Sequence, residues 1–185
     1  MGTRNLTVVK LDNEYRIAQY GRWDGYPEGA GVTVLNFARK LAEGTTMQEF
    51  IHKVRASRWV DAEKVKKITR KEKWHVQYPE FSRDTGAQIL DVVLYSVDGI
   101  ELESDIEFAA DSLFCEWAWV IDLDAKTLEG YKGFNDHTAL RPDDRFYFLR
   151  DKERNEFHGV LLSAKWSLDD LPSDEKFIAA FDDED

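Results

Sequence analysis

One cysteine, Cys115, is the whole thiol complement of this 185-residue chain, so neither an intrachain disulfide nor a cysteine-rich zinc site can form. No apolar run approaches the roughly 18–20 residues needed to span a bilayer. The opening residues Met1-Gly2-Thr3-Arg4-Asn5 lack the apolar stretch of a secretory signal, so export by that route is not expected. Basic side chains are in deficit: 25 Lys and Arg stand against 36 Asp and Glu, a formal charge of −11 with a pI near 4.9. That balance excludes a simple basic nucleic-acid binder and argues against adsorption to anionic membranes. No Walker loop, G-x-S-x-G elbow or zinc-ligand spacing occurs, and neither a metal nor another cofactor is expected. What is present suffices for one folded unit: 43% of residues are hydrophobic and 33% charged, which allows a sizeable core and excludes disorder on composition. A soluble cytoplasmic protein is the expectation.

The first forty residues are the most legible. Residues 5–11 and 14–20 read as two β-branched strands, and Asp12-Asn13 is the polar pair of a tight hairpin turn. A loop dense in Gly, Asp and Pro covers 21–31. A helix fits 32–42, with Val34, Leu35, Ala38 and Leu41 on one stripe and Gly44 as its stop. From 46 to 73 two weaker helices follow, one on Met47, Phe50, Ile51 and Val54, the other on Val65 and Ile68. Ser82 predicts the N-cap of a helix over 83–97 with Ala87, Leu90, Leu94 and Val97 as its stripe, ended by Asp98-Gly99.

Residues 113–123, rich in β-branched and aromatic side chains, predict a central strand, returning over 127–134 after the turn Asp124-Ala125-Lys126. A further hairpin is predicted from 145–149 and 157–166 across 151–155. A short helix over 173–181 leads into an acidic tail, 182–185, expected to be frayed and solvating. About six strands grouped in hairpins imply one α+β domain over 1–185 with a largely antiparallel sheet.

Charge is unevenly spread. Residues 53–73 hold nine Lys or Arg and three Asp or Glu, whereas 98–125 hold nine acids and no Lys or Arg. The basic stretch reads as a solvated helix face, as a nucleic-acid contact, or as the partner of the acidic segment in the same or another subunit. Pairing with another subunit would make a homo-oligomer.

Three segments carry a resemblance: Met1-Gly-Thr-Arg-Asn-Leu-Thr7 with Ala18-Gln-Tyr-Gly-Arg-Trp-Asp-Gly-Tyr-Pro27, then Ser82-Arg-Asp-Thr-Gly-Ala-Gln-Ile-Leu90, then Leu113-Phe-Cys-Glu-Trp-Ala-Trp-Val-Ile-Asp-Leu-Asp124. Over roughly residues 1–135 the chain resembles a type of small protein encoded by bacteriophages and prophages. The resemblance implies a role in the host bacterial cytoplasm, directed against host defence, and imports no catalytic assignment. An early hairpin and helix followed by the acidic strand Trp119-Val-Ile-Asp-Leu-Asp124 is also similar to N-terminal-nucleophile hydrolases, which implies an αββα sandwich. That likeness stops at the nucleophile: Gly2 has no side chain, and Thr3 would need a cut that nothing in the sequence signals.

The loop Gly21-Arg-Trp-Asp-Gly-Tyr-Pro27 is the richest in chemistry. Trp23 and Tyr26 offer ring faces for stacking, Asp24 a carboxylate, and the following helix its amides. Equally, Trp23 and Tyr26 could pack on the core with Asp24 capping the turn. Arg4, Arg22 and Arg83 are the candidate phosphate or carboxylate binders, with Asp84 compensating Arg83 at a helix start; the alternative is ordinary ion pairing. Strand alternation places Cys115 and Trp117 on one face and Glu116, Asp122 and Asp124 on the other. Cys115 reads as an inert buried thiol, and the carboxylates as a solvated face or a Mg²⁺ or Ca²⁺ site. His52, His75, His137 and His158 show no metal spacing, and Asp136-His137 is the one acid/base pair. Asp24, Glu116 and His137 are therefore the catalytic candidates. The leading expectation is a site for a nucleotide-like small molecule around Arg4, Trp23, Asp24, Tyr26 and Arg83, binding or cleaving it. The others are an amidohydrolase and a non-enzymatic acidic protein that inhibits a host effector.

Overall fold

In a computed structural model of the chain, which describes residues 2–153 and 156–182, the opening hairpin forms from the residues that announce it. Strands β1 (Asn5–Leu11) and β2 (Glu14–Gly21) pair antiparallel, and Asp12 and Asn13 take φ of 54° and 59°. Two successive left-handed residues match the strand twist, and short polar side chains tolerate that conformation. Asp124 reaches across to accept both turn N–H groups, at 2.8 Å each.

Helices α1 (Val32–Leu41) and α2 (Thr46–Ala56) follow, then β3 (Arg58–Trp59), α3 (Ala62–Thr69), α4 (Trp74–Gln77), α5 (Ile89–Leu94) and β4 (Glu101–Leu102). The chain closes with β5 (Trp117–Asp122), β6 (Thr127–Lys132), β7 (Leu161–Ser167) and α6 (Asp174–Ala179). Five strands form one sheet in the order β2-β1-β5-β6-β7; β1 and β5 run parallel and every other junction is antiparallel. The fold is α+β with a largely antiparallel sheet.

Register explains the layers. Val9 faces Ile17 and Ile121, and Ile121 faces Leu128, so these residues share one face with Trp119. That face packs on α1, α2, α5 and α6 through Val34, Leu35, Phe50, Leu90 and Phe177. The opposite face, with Leu6, Val8, Ala118, Val120 and Tyr131, is covered by short 3₁₀ turns and loops through Ala109, Phe146, Leu149 and Val160. Burial of apolar side chains on both faces, at about 25 cal/mol per Å², is the main force holding the three layers together.

Several expectations are corrected. The αββα sandwich is not formed, because the second sheet among the described residues is only the two-residue pair β3 and β4. The helix expected over 83–97 shrinks to α5, preceded by a 3₁₀ turn. Gly86 adopts φ +46°, and the carbonyls of Ser82 and Arg83 accept from Gln19 Nε2 and the Arg22 N–H. Val97, expected on its apolar stripe, is 94% exposed. Residues 112–114 form a turn and 115–116 are irregular rather than strand, so Cys115 and Trp117 pack on opposite faces of the sheet. The hairpin partner expected at 145–149 is a turn and part of a 3₁₀ segment, and β7 pairs with β6 instead. Of the acidic tail, 183–185 lie outside the described residues, as do 154–155 of the expected hairpin loop.

The basic and acidic segments meet within the chain: β3 pairs with β4, and Arg58 and Lys64 bind Glu101 at 3.4 and 2.7 Å. No helix among the described residues is long and apolar enough to cross a membrane.

Candidate functional site

The loop after β2 is held from beneath by side chains of the sheet. Asn5, fully buried at the start of β1, donates its amide to the carbonyls of Gly21 and Trp23 at 3.3 and 3.2 Å. Trp119, buried at the centre of β5, donates its indole N–H to the Gly25 carbonyl at 2.9 Å. The Gly25 N–H bonds Thr3 O at 2.9 Å, and Ala30 N–H bonds Asp24 O at 2.7 Å. These contacts fix the loop backbone and leave its larger side chains outward: Trp23 is 52% exposed and Tyr26 40%. Neither ring joins the core. Asp24 stands exposed at φ +49°, its carboxylate 3.4 Å from the Tyr26 hydroxyl. Its backbone carbonyl, and not its side chain, supports the turn.

Residues 83–88 form the facing wall. The Arg22 N–H bonds Arg83 O at 3.0 Å, and Arg22 grips Asp84 with Nε and Nη2 at 2.5 and 3.2 Å. Trp23 Nε1 donates to the same Asp84 Oδ1 at 2.9 Å. The Arg22 guanidinium holds the Asp84 carboxyl below the usual carboxylate range, with the Trp23 N–H helping. Between the walls lies a cleft of about 300 Å³, lined among others by Trp23, Asp24, Glu28, Thr33, Arg83 and Gln88. The Arg83 guanidinium rests 5.3 Å from the Tyr20 ring centre and has no carboxylate partner among the described residues. The cleft thus offers a fixed indole, a free carboxylate and a free guanidinium.

The structure brings Arg22, Trp23, Asp24, Arg83 and Asp84 together at this cleft, with Tyr26 beside Asp24. It does not bring Arg4. That guanidinium lies 4.6 Å over the Phe114 ring, with Nε 3.5 Å from Glu116, whose carboxylate also accepts the Arg4 N–H at 3.2 Å. Arg4 and Glu116 thereby pair with each other, and neither lines this cleft. His137 is 87% exposed and contacts Asp136 at 3.0 Å, outside the cleft. The carboxylate face proposed as a cation site is dispersed: Asp124 caps the hairpin turn, Asp122 is buried against Arg145, and no group able to hold a metal is found among the described residues. Cys115 is fully buried, and burial pushes its thiol well above the ordinary value.

Sequence reading missed the groups that hold the site. Asn5 and Trp119 lie in the segments quoted for the resemblance, but nothing in their local sequence marks them as holding this loop. It also missed a charged cluster on the other sheet face. There Arg145 binds Glu129 at 2.7 and 2.8 Å and Asp122 at 2.8 Å, and Tyr131 donates to Glu129 at 2.6 Å. Glu129 and Asp122 are 2% exposed. Burial alone would push the Glu129 carboxyl up; the bonds from Arg145, Tyr131 and Thr127 outweigh it and hold the group at about 2. The signal available was Glu129 in an otherwise buried strand, since a buried carboxylate requires a partner.

Comparison with known protein families, with characterised proteins and with solved structures returns no match to this chain.

Proposed function

We propose that the cleft between the loop after β2 and residues 83–88 binds a small ligand bearing a flat ring and an anionic group, as a nucleotide does. The observation that carries this reading is Trp23, which is fixed at its N–H by Asp84 yet half exposed at the cleft. An indole held in one orientation presents a stacking surface with little ordering left to do on binding. Arg83 supplies an unpaired guanidinium for a phosphate, and Asp24 a carboxylate for a hydroxyl or amine. The resemblance to phage-encoded proteins supports sequestration of a host signal in the bacterial cytoplasm.

Calorimetric titration with adenine nucleotides and cyclic dinucleotides tests the proposal. At least one is expected to bind more tightly than about 100 µM, a free energy of about −5.5 kcal/mol, and Trp23→Ala to weaken it about tenfold or more. Absence of such binding across the panel overturns it.

A further inference from the structure

A second cavity, of about 350 Å³, opens on the other side of Arg83, between the end of β2, the turn at 80–83 and the segment 103–108. Its apolar walls are Tyr20, Phe81 and Phe108; Tyr20 meets Phe108 edge to face with ring centres 4.9 Å apart. Gln19 is 4% exposed and locked by its bond to Ser82 O at 3.1 Å. The charged groups are Glu80, Glu103 and Asp105 with Arg83. Asp105 is anchored, since Oδ2 accepts the Tyr20 N–H at 3.0 Å. The size is within the range of small-ligand sites, roughly 300–1,000 Å³.

Arg83 shares this cavity with three carboxylates, yet it forms no ion pair with any of them, and none of the three pairs with another cation among the described residues. Elsewhere the chain pairs opposite charges readily, as at Arg22–Asp84 and Lys64–Glu101. Burial pushes the Asp105 and Glu80 carboxyls above their ordinary range, so both bear a desolvation penalty that a bound cation would relieve. A purely cationic ligand would meet Arg83, and a purely anionic one the three carboxylates. A ligand carrying both charges satisfies both sides.

We propose that this cavity is a binding site for a free α-amino acid. Its ammonium group faces Glu80, Glu103 and Asp105, its carboxylate faces Arg83, and its side chain lies against Tyr20, Phe81 and Phe108. The site is separate from the nucleotide-like reading of the first cleft: of these residues only Arg83 lines both.

The twenty standard amino acids, each at about 10 mM, are added to isotopically labelled protein, and the NMR signals of Tyr20, Phe81 and Phe108 are followed. At least one amino acid is expected to bind with a Kd below about 1 mM. Its N-acetyl and carboxamide derivatives, each lacking one charge, should bind at least about tenfold more weakly, as loss of a charge-assisted bond requires. Glu80→Gln and, separately, Glu103→Gln should each weaken binding, whereas Trp23→Ala should leave it unchanged. No response from any amino acid overturns the proposal, as does equal binding of either singly charged derivative. Tighter binding of a dipeptide than of any free amino acid overturns the assignment of the ligand. Failure here leaves the nucleotide titration unaffected, because that binding is measured by calorimetry with different ligands and tested by Trp23→Ala, at a residue that does not line this cavity.

Discussion

The Cα of Gly86 occupies the space a side chain on Gly21 would need: a Cβ built on Gly21 comes within 2.9 Å of it, and as close to the Asn5 amide. This backbone-to-backbone approach seats residues 83–88 against the end of β2 and thereby defines both cavities.

The two glycines should therefore respond differently to alanine. In Gly21→Ala the methyl meets backbone and a buried amide that cannot retreat, so a loss of more than about 2 kcal/mol is expected, in the range of overpacking. In Gly86→Ala the nearest atom is 3.5 Å away, and the cost comes from φ +46°, about 1 kcal/mol. Urea unfolding of the two variants measures this, and a larger loss in Gly86→Ala would contradict the packing described.

Arg145 enters the sheet face from a loop and neutralises two buried carboxylates. Arg145→Leu leaves Glu129 and Asp122 without their main partner, and a destabilisation of about 3–5 kcal/mol is expected. A loss below about 1 kcal/mol in the same unfolding measurement, typical of an exposed pair, would show that the cluster is not the anchor of this loop.

The same cluster gives a pH dependence. Glu129 titrates at about 2 in the folded chain and near the ordinary carboxyl value of 4.5 when unfolded. Its contribution is complete above the unfolded value and is lost as pH falls from there towards about 2. Glu80 and Asp105 act in the opposite sense, because burial raises their carboxyls and protonation relieves them. The stability difference between the native chain and Glu129→Gln isolates the effect, and it should narrow steadily between about pH 5 and 2.5. A difference that stays constant over that window would contradict the assignment.

Asp24 is exposed, makes no side-chain bond to the backbone and sits at a left-handed φ that asparagine tolerates well. Asp24→Asn should change stability by less than about 1 kcal/mol. Binding at the first cleft should fall about tenfold, as one charge-assisted hydrogen bond is lost. Melting temperature and ligand titration are the pair to measure. A destabilised variant that binds normally would remove Asp24 from the site.

Local features were legible wherever neighbouring residues settle the outcome. Asp12-Asn13 between two β-branched runs specified the hairpin, and Val34, Leu35, Ala38 and Leu41 marked the buried stripe of α1, because turn chemistry and periodicity act over a few residues. The loop at 21–27 was recognisable by composition, and most of the arginines and acids suspected near it do converge there. Arg4 and Glu116 do not, since their pairing depends on β1 lying parallel beside β5, a neighbour relation between segments more than a hundred residues apart. Asn5 and Trp119 grip the loop from 16–18 and 94 residues away, and Arg145 reaches Glu129 across 16, tertiary contacts that no local pattern announces. Ser82 and the apolar stripe after it announced a long helix, but Gly21 and the Arg22 amide compete for that backbone and win. Helix propensity contributes tenths of a kcal/mol per residue, whereas a buried close approach with its hydrogen bonds contributes several times more. Sequence thus settled what each short segment prefers; the packed sheet settled which preferences survive, because only there do distant backbones contend for the same space.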